Sequence, residues 1–367
     1  MASQIGPGCL MDLASGSWSE AVVPSTDGDL EIRRQQFRPS LVRQRPLQVV
    51  CVGGGTGLPV VLRGLARQAE PYGRHAGLDI TAVVAMSDDG GSSGKLRRSR
   101  GALPAGDVRN CLVALADRSS ELSKLFQYRF DGDSGLAGHA VGNLLIAAMT
   151  ELKGDFLEAV SFSAHLLQAK GTVLPSTLAP VELVAEMAND TCIVGERNLA
   201  RARGRVRKVE LRPPLPPPSD GMLEAIANAD LISLGPGSLY SSILPTLLVK
   251  GAAAALREAR ALKVLVANLM TQPGETDGMS CADHLRALFE HLGPVVDVVL
   301  VNAAPLALAS IRSYAARGSL PVLLDRTDLH RMGVTLLEAD LLKRGVRLRH
   351  DGRKVARCLL KLARNGP

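Results

Sequence analysis

Two adjacent carboxylates, Asp88 and Asp89, stand where a β-branched apolar run gives way to glycine and serine, in Val83-Val-Ala-Met-Ser-Asp-Asp-Gly-Gly-Ser-Ser-Gly-Lys-Leu96. Open α/β sheets bind ligands just beyond the carboxyl ends of their strands. A carboxylate there can hold a ribose hydroxyl, hold a Mg²⁺ that bridges phosphates, or act as a general base. Gly90, Gly91 and Ser92 continue as a polar loop, and Lys95, Arg97 and Arg98 add positive charge. Gly94-Lys95 suggests a P-loop, but Asp89 stands where its first glycine belongs and Leu96 where Ser or Thr belongs.

A second chemical stretch is Gly53-Gly54-Gly55-Thr56-Gly57, between an apolar run and a helical pattern. A loop without Cβ atoms lets backbone N–H groups approach an anion, and the following helix adds its partial positive charge. Pro59 suits the first turn, where its missing N–H costs nothing. The dinucleotide fingerprint G-x-G-x-x-G fails because Leu58 occupies the third glycine position. Leu234-Gly235-Pro236-Gly237-Ser238 repeats the strand–glycine–helix junction and reads as a second anion cradle. It lacks the G-x-S-x-G of a nucleophile elbow. Asp107 reads as a helix cap, with Arg109 and Asn110 placed to project into the cleft. His139 and Asn143, four apart, share one face of an expected helix. Glu275 and Asp277 decorate a Pro-Gly turn at the expected cleft rim. Asp131-x-Asp133 resembles a calcium loop but has Leu136 where glycine is required.

The elements that must position these groups follow from periodicity. Residues 47–52, 79–86, 231–234, 264–269, 295–301 and 321–324 read as strands. Residues 59–68, 108–116 and 138–152, and a segment from 239, read as helices. This alternation implies a parallel sheet with right-handed crossovers. Residues 181–187, 191–194 and 206–211 read as hairpin strands of a small insert. Pro213-Pro-Leu-Pro-Pro-Pro218 follows as a polyproline II connector. The expected organisation is a disordered tail over 1–45 and a nucleotide-binding α/β part over 46–170. A β-containing insert with its connector spans 171–218, and the second α/β half with C-terminal helices spans 219–367.

Of 367 residues, 46% are hydrophobic and 22% charged, a globular balance, and the apolar runs are too short to span a membrane. The N-terminus lacks the pattern of a secretory signal. Six widely spaced cysteines without C-x-x-C read as free thiols rather than disulfides or zinc ligands. The net charge of +7 is compatible with nucleic acid, but 3% aromatic residues supply few stacking rings. The basic run Arg201–Lys208 reads as a solvated strand face. Neither nucleic acid nor membrane is the expected partner.

The segments GGGTGLPVVLRGL, SDDGGSSGKLRR, LPAGDVRNCLVALA, LFQYRF, LAGHAVGNLL, GTVLPST, LGPGSLYSSILP, NLMTQPGETDG and ADHLRAL occur in this order over about residues 48–305. Together they resemble the bacterial gluconeogenesis-factor (YvcK-like) family, within the superfamily of 2-phospho-L-lactate transferase (CofD-like). The resemblance implies a Rossmann-like α/β fold with helices on both faces of a mostly parallel sheet, and a cytoplasmic location. It implies a role in cell shape under gluconeogenic growth and a UDP-sugar ligand such as UDP-N-acetylglucosamine. It also implies a regulatory protein partner and leaves a homo-oligomer open. In the transferase relatives the paired acidic motif, falling here on Asp88 and Asp89, works with Mg²⁺, which makes Asp88 the candidate metal ligand. The long DDGGSSGKLRR form differs from the short transferase form and favours the regulatory branch. The leading expectation is therefore a nucleotide-sugar-binding regulator that is not an enzyme. A Mg²⁺-dependent transferase of a phosphate-containing group is the first alternative, and an NAD-binding oxidoreductase the second.

Overall fold

The computed structural model describes residues 45–69, 77–133, 135–202, 204–345 and 347–366. The tail expected over 1–45 therefore lies outside the described residues except for Arg45, and so does Cys9. The strands are β1 (Leu47–Gly53), β2 (Leu78–Val84), β3 (Thr172–Pro175), β4 (Glu182–Met187) and β5 (Cys192–Val194). They continue with β6 (Val206–Arg212), β7 (Leu231–Leu234), β8 (Leu262–Val266), β9 (Val298–Asn302) and β10 (Thr335–Ala339). The helices of the first half are α1 (Leu58–Ala66), α2 (Gly91–Arg100), α3 (Gly106–Leu115), α4 (Glu121–Gln127), α5 (Val141–Lys153) and α6 (Phe156–Leu166). After α7 (Glu196–Leu199) and α8 (Met222–Asn228), a π-helical turn over Leu239–Ile243 runs into α9 (Leu244–Leu247). Then come α10 (Ala252–Glu258), α11 (Cys281–Leu292), α12 (Leu308–Ala315), α13 (Arg326–Arg331) and α14 (Gly352–Asn365).

Seven strands form one sheet, ordered β10-β9-β8-β7-β1-β2-β3, with every pairing parallel. Central β1 is apolar along its length, with Val49 to Val52 all at most 2% exposed, as a strand covered on both faces requires. Cys51 lies between Ala82 on β2 and Ser233 on β7. The chain moves outward from β1 through β2 and β3, then returns to place β7 on the other side of β1. Right-handed crossovers therefore put α1 and the β7–β8 helices on opposite faces. On its own face α1 packs against α3 and α14. It meets α14 glycine to glycine: a Cβ on Gly64 would lie 1.9 Å from the Gly352 carbonyl oxygen.

The insert is the expected antiparallel sheet, ordered β5-β4-β6. Its outer face is solvated, with Arg207 paired to Glu186 and Asp190. Cys51, Cys111, Cys281 and Cys358 are buried free thiols and Cys192 is an exposed one. Among the described residues no single helix is long and apolar enough to cross a membrane.

Several expectations change. Residues 172–175 join the main sheet as its edge strand β3, so the insert begins later than expected. A short helix, α7, interrupts its strands. Residues 321–324 form no strand; Pro321 makes one isolated bridge to Met270, and the last strand is β10. The proline run is not a continuous polyproline II segment, because Leu215 has φ of +48° and Arg212–Pro213 is cis. The SDDGGSSGKLRR stretch is not a loop beyond Gly90 but helix α2.

Candidate functional site

The switch in strand order between β1 and β7 opens a crevice at their carboxyl ends, where open α/β sheets bind ligands. Both glycine junctions, residues 53–57 and 235–238, lie there side by side. Gly235 N donates to the Val52 carbonyl at 2.9 Å, and a Cβ on Gly57 would lie 2.1 Å from the Pro236 carbonyl oxygen. Gly57 thus serves the close approach of one loop to the other. Gly55 serves a different need. Its φ of +61° lies in the left-handed region, and a Cβ there would have only Ser242 Oγ within 4 Å, at 3.8 Å. The space in front of Gly55 is open.

Asp107 pins the first loop. Its Oδ2 accepts the Gly55 N–H at 2.6 Å and leaves no room for a Cβ on Gly54. The expected capping role is therefore corrected: α3 starts at Gly106 with Ala105 as its N-cap, and Asp107 bonds across 52 residues instead. α1, α2 and α3 all begin without a side-chain cap, at Gly57, Gly90 and Ala105. They are tied together: Gly55 N donates to Asp107 on α3, and Gly106 N on α3 donates to Ser93 Oγ on α2 at 3.1 Å. Three helix amino ends, each with orphan N–H groups and a partial positive charge, therefore meet around one loop. α4, α6, α11 and α14 carry side-chain caps at Ser120, Asp155, Ser280 and Asp351, whereas α5, α8, α10 and α12 also begin without one.

Several expected ligand contacts instead brace these helices. Arg109, 4% exposed, donates to Asn143 Oδ1 at 3.0 Å and to Asn110 Oδ1 at 2.8 Å, while its Nε has no partner. Burial lowers its pKa to about 10, against the pull of Asp107 and Asp88. Ser92 Oγ shares a hydrogen bond with His139 Nδ1 at 3.1 Å, and Lys95 donates to the Ala137 carbonyl at 2.7 Å. His139 precedes α5, which begins at Val141, so His139 and Asn143 do not share a helical face. Thr56 is exposed on the loop, Gly90 N bonds Asp88 Oδ1 at 2.8 Å, Gly91 has open space where a Cβ would stand, and Arg97 is half-buried on α2. Asp89 turns away to the insert, where its Oδ1 accepts the Arg197 N–H at 2.9 Å and its Oδ2 would lie 2.4 Å from a Cβ on Gly195.

The second loop differs from the expected anion cradle. Gly237 exchanges two hydrogen bonds with the Asn268 amide, at 3.2 and 2.8 Å. Ser238 caps the following turn by accepting Ser241 N at 3.1 Å and donates its own hydroxyl proton to Glu275. Glu275 also accepts the Ser241 hydroxyl at 3.2 Å. Here the protein's own carboxylate already sits at the helix amino end. Gly235, Gly237 and Ser238 therefore shape a brace rather than an open cradle. Asp277 is turn decoration, its Oδ2 accepting the Gly274 N–H at 2.9 Å.

The surroundings are acidic. Burial raises the pKa of Asp88 against the Gly90 N–H and Ser93 hydroxyl that hold it down, and lifts Asp107 to about 6. Burial, then repulsion from Asp88, Asp107, Glu275 and Asp89, lifts Glu196 to about 9. Glu196 belongs to the insert, and no local sequence signal pointed to it. Among the described residues no three His, Cys, Asp or Glu side chains converge on a metal position. A Mg²⁺ held through Asp88 would therefore complete its shell with waters and a ligand's phosphates. Cavities of about 460 Å³, lined by Arg45, Asp230 and Arg260 at the opposite end of the strands, and about 250 Å³, between β6 and α11, lie outside this cluster.

The model of one family, 2-phospho-L-lactate transferase CofD, matches residues 49–342. The chain belongs to that family. Its curated relatives include the gluconeogenesis factor of Bacillus subtilis, 42% identical over 87% of this chain and 98% of the relative. That of Halalkalibacterium halodurans is 42% identical over 85% of this chain and 95% of the relative. A crystal structure of a Bacillus halodurans protein superposes with a TM-score of 0.82 at 41% identity, covering 86% of this chain and all of that one. The chain is thus a member of the gluconeogenesis-factor branch of the CofD family, with its Rossmann-like fold.

Proposed function

We propose that this family member binds a nucleotide sugar of the UDP-N-acetylglucosamine kind through its diphosphate, at the first glycine loop, and acts as a regulator rather than a catalyst. The observation that carries the reading is the open space before Gly55, at the start of uncapped α1, in a loop tied through Asp107 to α3 and onward through Ser93 to α2. Helix amino ends offer anions unpaired backbone N–H groups. Its place at the strand-order switch is where open α/β sheets bind extended ligands. The names of the relatives support a role in gluconeogenic growth, and we extend it to cell shape and to signalling through a protein partner in the cytoplasm.

A second reading is favoured by the carboxylates and the family model: a Mg²⁺-dependent transferase of a phosphate-containing group, with the metal held between Asp88 and the ligand's phosphates. Calorimetric titration of the purified chain with UDP-N-acetylglucosamine, with and without Mg²⁺, separates the two. The regulator reading expects saturable binding in both conditions and intact ligand afterwards. Absence of binding would overturn it, and consumption of ligand only with Mg²⁺ would install the transferase.

A further inference from the structure

Beside the first loop, one buried side chain keeps a donor without a partner. Asn143, in the first turn of α5, is 1% exposed. Its Oδ1 accepts an N–H of Arg109 at 3.0 Å. A guanidinium carries donors only, so the amide turns its oxygen to Arg109 and its nitrogen the other way. Arg109 is held in turn. It donates to Asn110 Oδ1 at 2.8 Å, and a Cβ on Gly142 would lie 2.8 Å from its Cδ. The orientation of the Asn143 amide is therefore fixed from behind. Its Nδ2 makes no hydrogen bond to any described residue.

That nitrogen borders a polar gap that exists because residue 106 is glycine. A Cβ on Gly106 would lie 2.6 Å from Ser93 Oγ, 3.1 Å from Asp88 Oδ2 and 4.0 Å from Asn143 Nδ2. A carboxylate acceptor and an amide donor thus face one space. Asp88 Oδ1 takes the Gly90 N–H at 2.8 Å, and Oδ2 is the oxygen turned to the gap. Asp88 is half-buried, so the pair is not sealed in the core. The gap adjoins the first loop, because the next residue, Asp107, accepts the Gly55 N–H at 2.6 Å.

A phosphate oxygen suits this gap poorly, since Asp88 would repel it. A hydroxyl suits it well, because it donates one proton and accepts at its lone pairs. We propose that Asn143 is a specificity-determining residue of the ligand site, whose Nδ2 donates a hydrogen bond to a hydroxyl of the nucleotide sugar while that hydroxyl donates to Asp88 Oδ2. The inference rests on the functional reading above and adds a hydroxyl pocket to its phosphate loop. Arg109 is the positioning residue, acting only through the amide it orients. Ribose and the attached sugar both carry hydroxyls, and the choice of ligands in the test separates them. A site built to bond a hydroxyl discriminates against ligands that lack it, because its buried polar groups are then left unpaired.

Asn143→Asp separates the two jobs of the amide: its carboxylate still accepts from Arg109 but offers the ligand no N–H. The full chain and this variant are titrated by calorimetry with UDP-N-acetylglucosamine, UDP and 2′,3′-dideoxy-UDP, with melting curves as the folding control. Asn143→Asp should melt no lower than wild type and bind UDP-N-acetylglucosamine about tenfold or more weakly. If UDP suffers the same loss and 2′,3′-dideoxy-UDP does not, the hydroxyl is the ribose's. If only UDP-N-acetylglucosamine suffers it, the hydroxyl is the sugar's. Should the aspartate variant fail to fold, Asn143→Ala on the same three ligands carries the comparison. Two results would overturn the assignment: binding of UDP-N-acetylglucosamine within about threefold of wild type, or an equal loss on all three ligands, which packing or added charge alone produces. Failure of the wild type to bind overturns the functional reading and this inference together, whereas wild-type binding with an indifferent Asn143 removes the inference alone.

Discussion

The two glycine loops occupy equivalent places, one strand apart, and are built to opposite ends. After β7 the chain closes its own accounts: Asn268 takes the Gly237 N–H, Ser238 takes the Ser241 N–H, and the Glu275 carboxylate accepts both serine hydroxyls at the helix amino end. After β1 only Gly55 N is taken, by Asp107, and the helix begins with no cap and no acid in its first turn. The comparison teaches that a strand–glycine–helix junction does not by itself announce a ligand. What separates a cradle from a brace is how much distant side chains leave free: at the first loop Asp107 takes one N–H and the space before Gly55 stays open. That information is carried by residues 31 to 52 positions away.

Gly55→Val should show the difference most strongly. It puts side-chain carbon into the open face of the first loop, and affinity for UDP-N-acetylglucosamine should fall by about 100-fold or more, read by calorimetry. Unchanged affinity would place the ligand elsewhere. Gly57→Ala and Gly55→Ala then separate packing from cradle by melting curves. The first must displace the Pro236 carbonyl and should lose about 3 kcal/mol, whereas the second meets open space and should lose about 1–2 kcal/mol through its left-handed φ. An equal loss would mean that the two glycines do the same job.

Glu275→Ala tests the brace. It strips the acceptor from the Ser238 and Ser241 hydroxyls and should cost about 2 kcal/mol of stability, while nucleotide affinity changes by less than about threefold. A large loss of affinity in a well-folded variant would return the second loop to the binding site. The smallest effect is expected from Asp107→Asn, whose amide oxygen still accepts the Gly55 N–H. Burial raises the Asp107 carboxyl to about 6, above its unfolded value of about 3.9, so the native state binds this proton more readily than the unfolded chain. The penalty is present above pH 6 and disappears as pH falls towards 4. Asp107→Asn should therefore be more stable than wild type at pH 8 by about 1–2 kcal/mol, and no more stable at pH 4. A constant difference across that range would contradict the origin assigned to the shift.

The parts of this architecture that could be read in the sequence are those set by local pattern. The strand–glycine–helix junctions, the parallel βα rhythm and the antiparallel insert all follow from periodicity and from where glycine falls. What escaped was decided at a distance. β10 escaped because Thr335 and Glu338 interrupt its apolar run; Glu338 is buried only because Arg326 binds it through two hydrogen bonds of 2.7 Å. α2 escaped because Gly91-Ser-Ser-Gly94 is a poor helix former, and it is held by ties to neighbours such as Ser93 to Gly106 and Lys95 to Ala137. At the site, Asp88 and the first loop were legible as a group at a strand end. The bond of Asp107 to the first loop and the docking of α7 on Asp89 were not, since each depends on a contact with a remote segment.

The measurement that bears most directly on the central claim is a crystal structure of the full chain with UDP-N-acetylglucosamine. The account predicts the diphosphate against residues 55–58, accepting N–H groups from the amino end of α1, with the Glu275 side chain still bound to Ser238. A nucleotide ordered in another cavity, with the first loop empty, would contradict it.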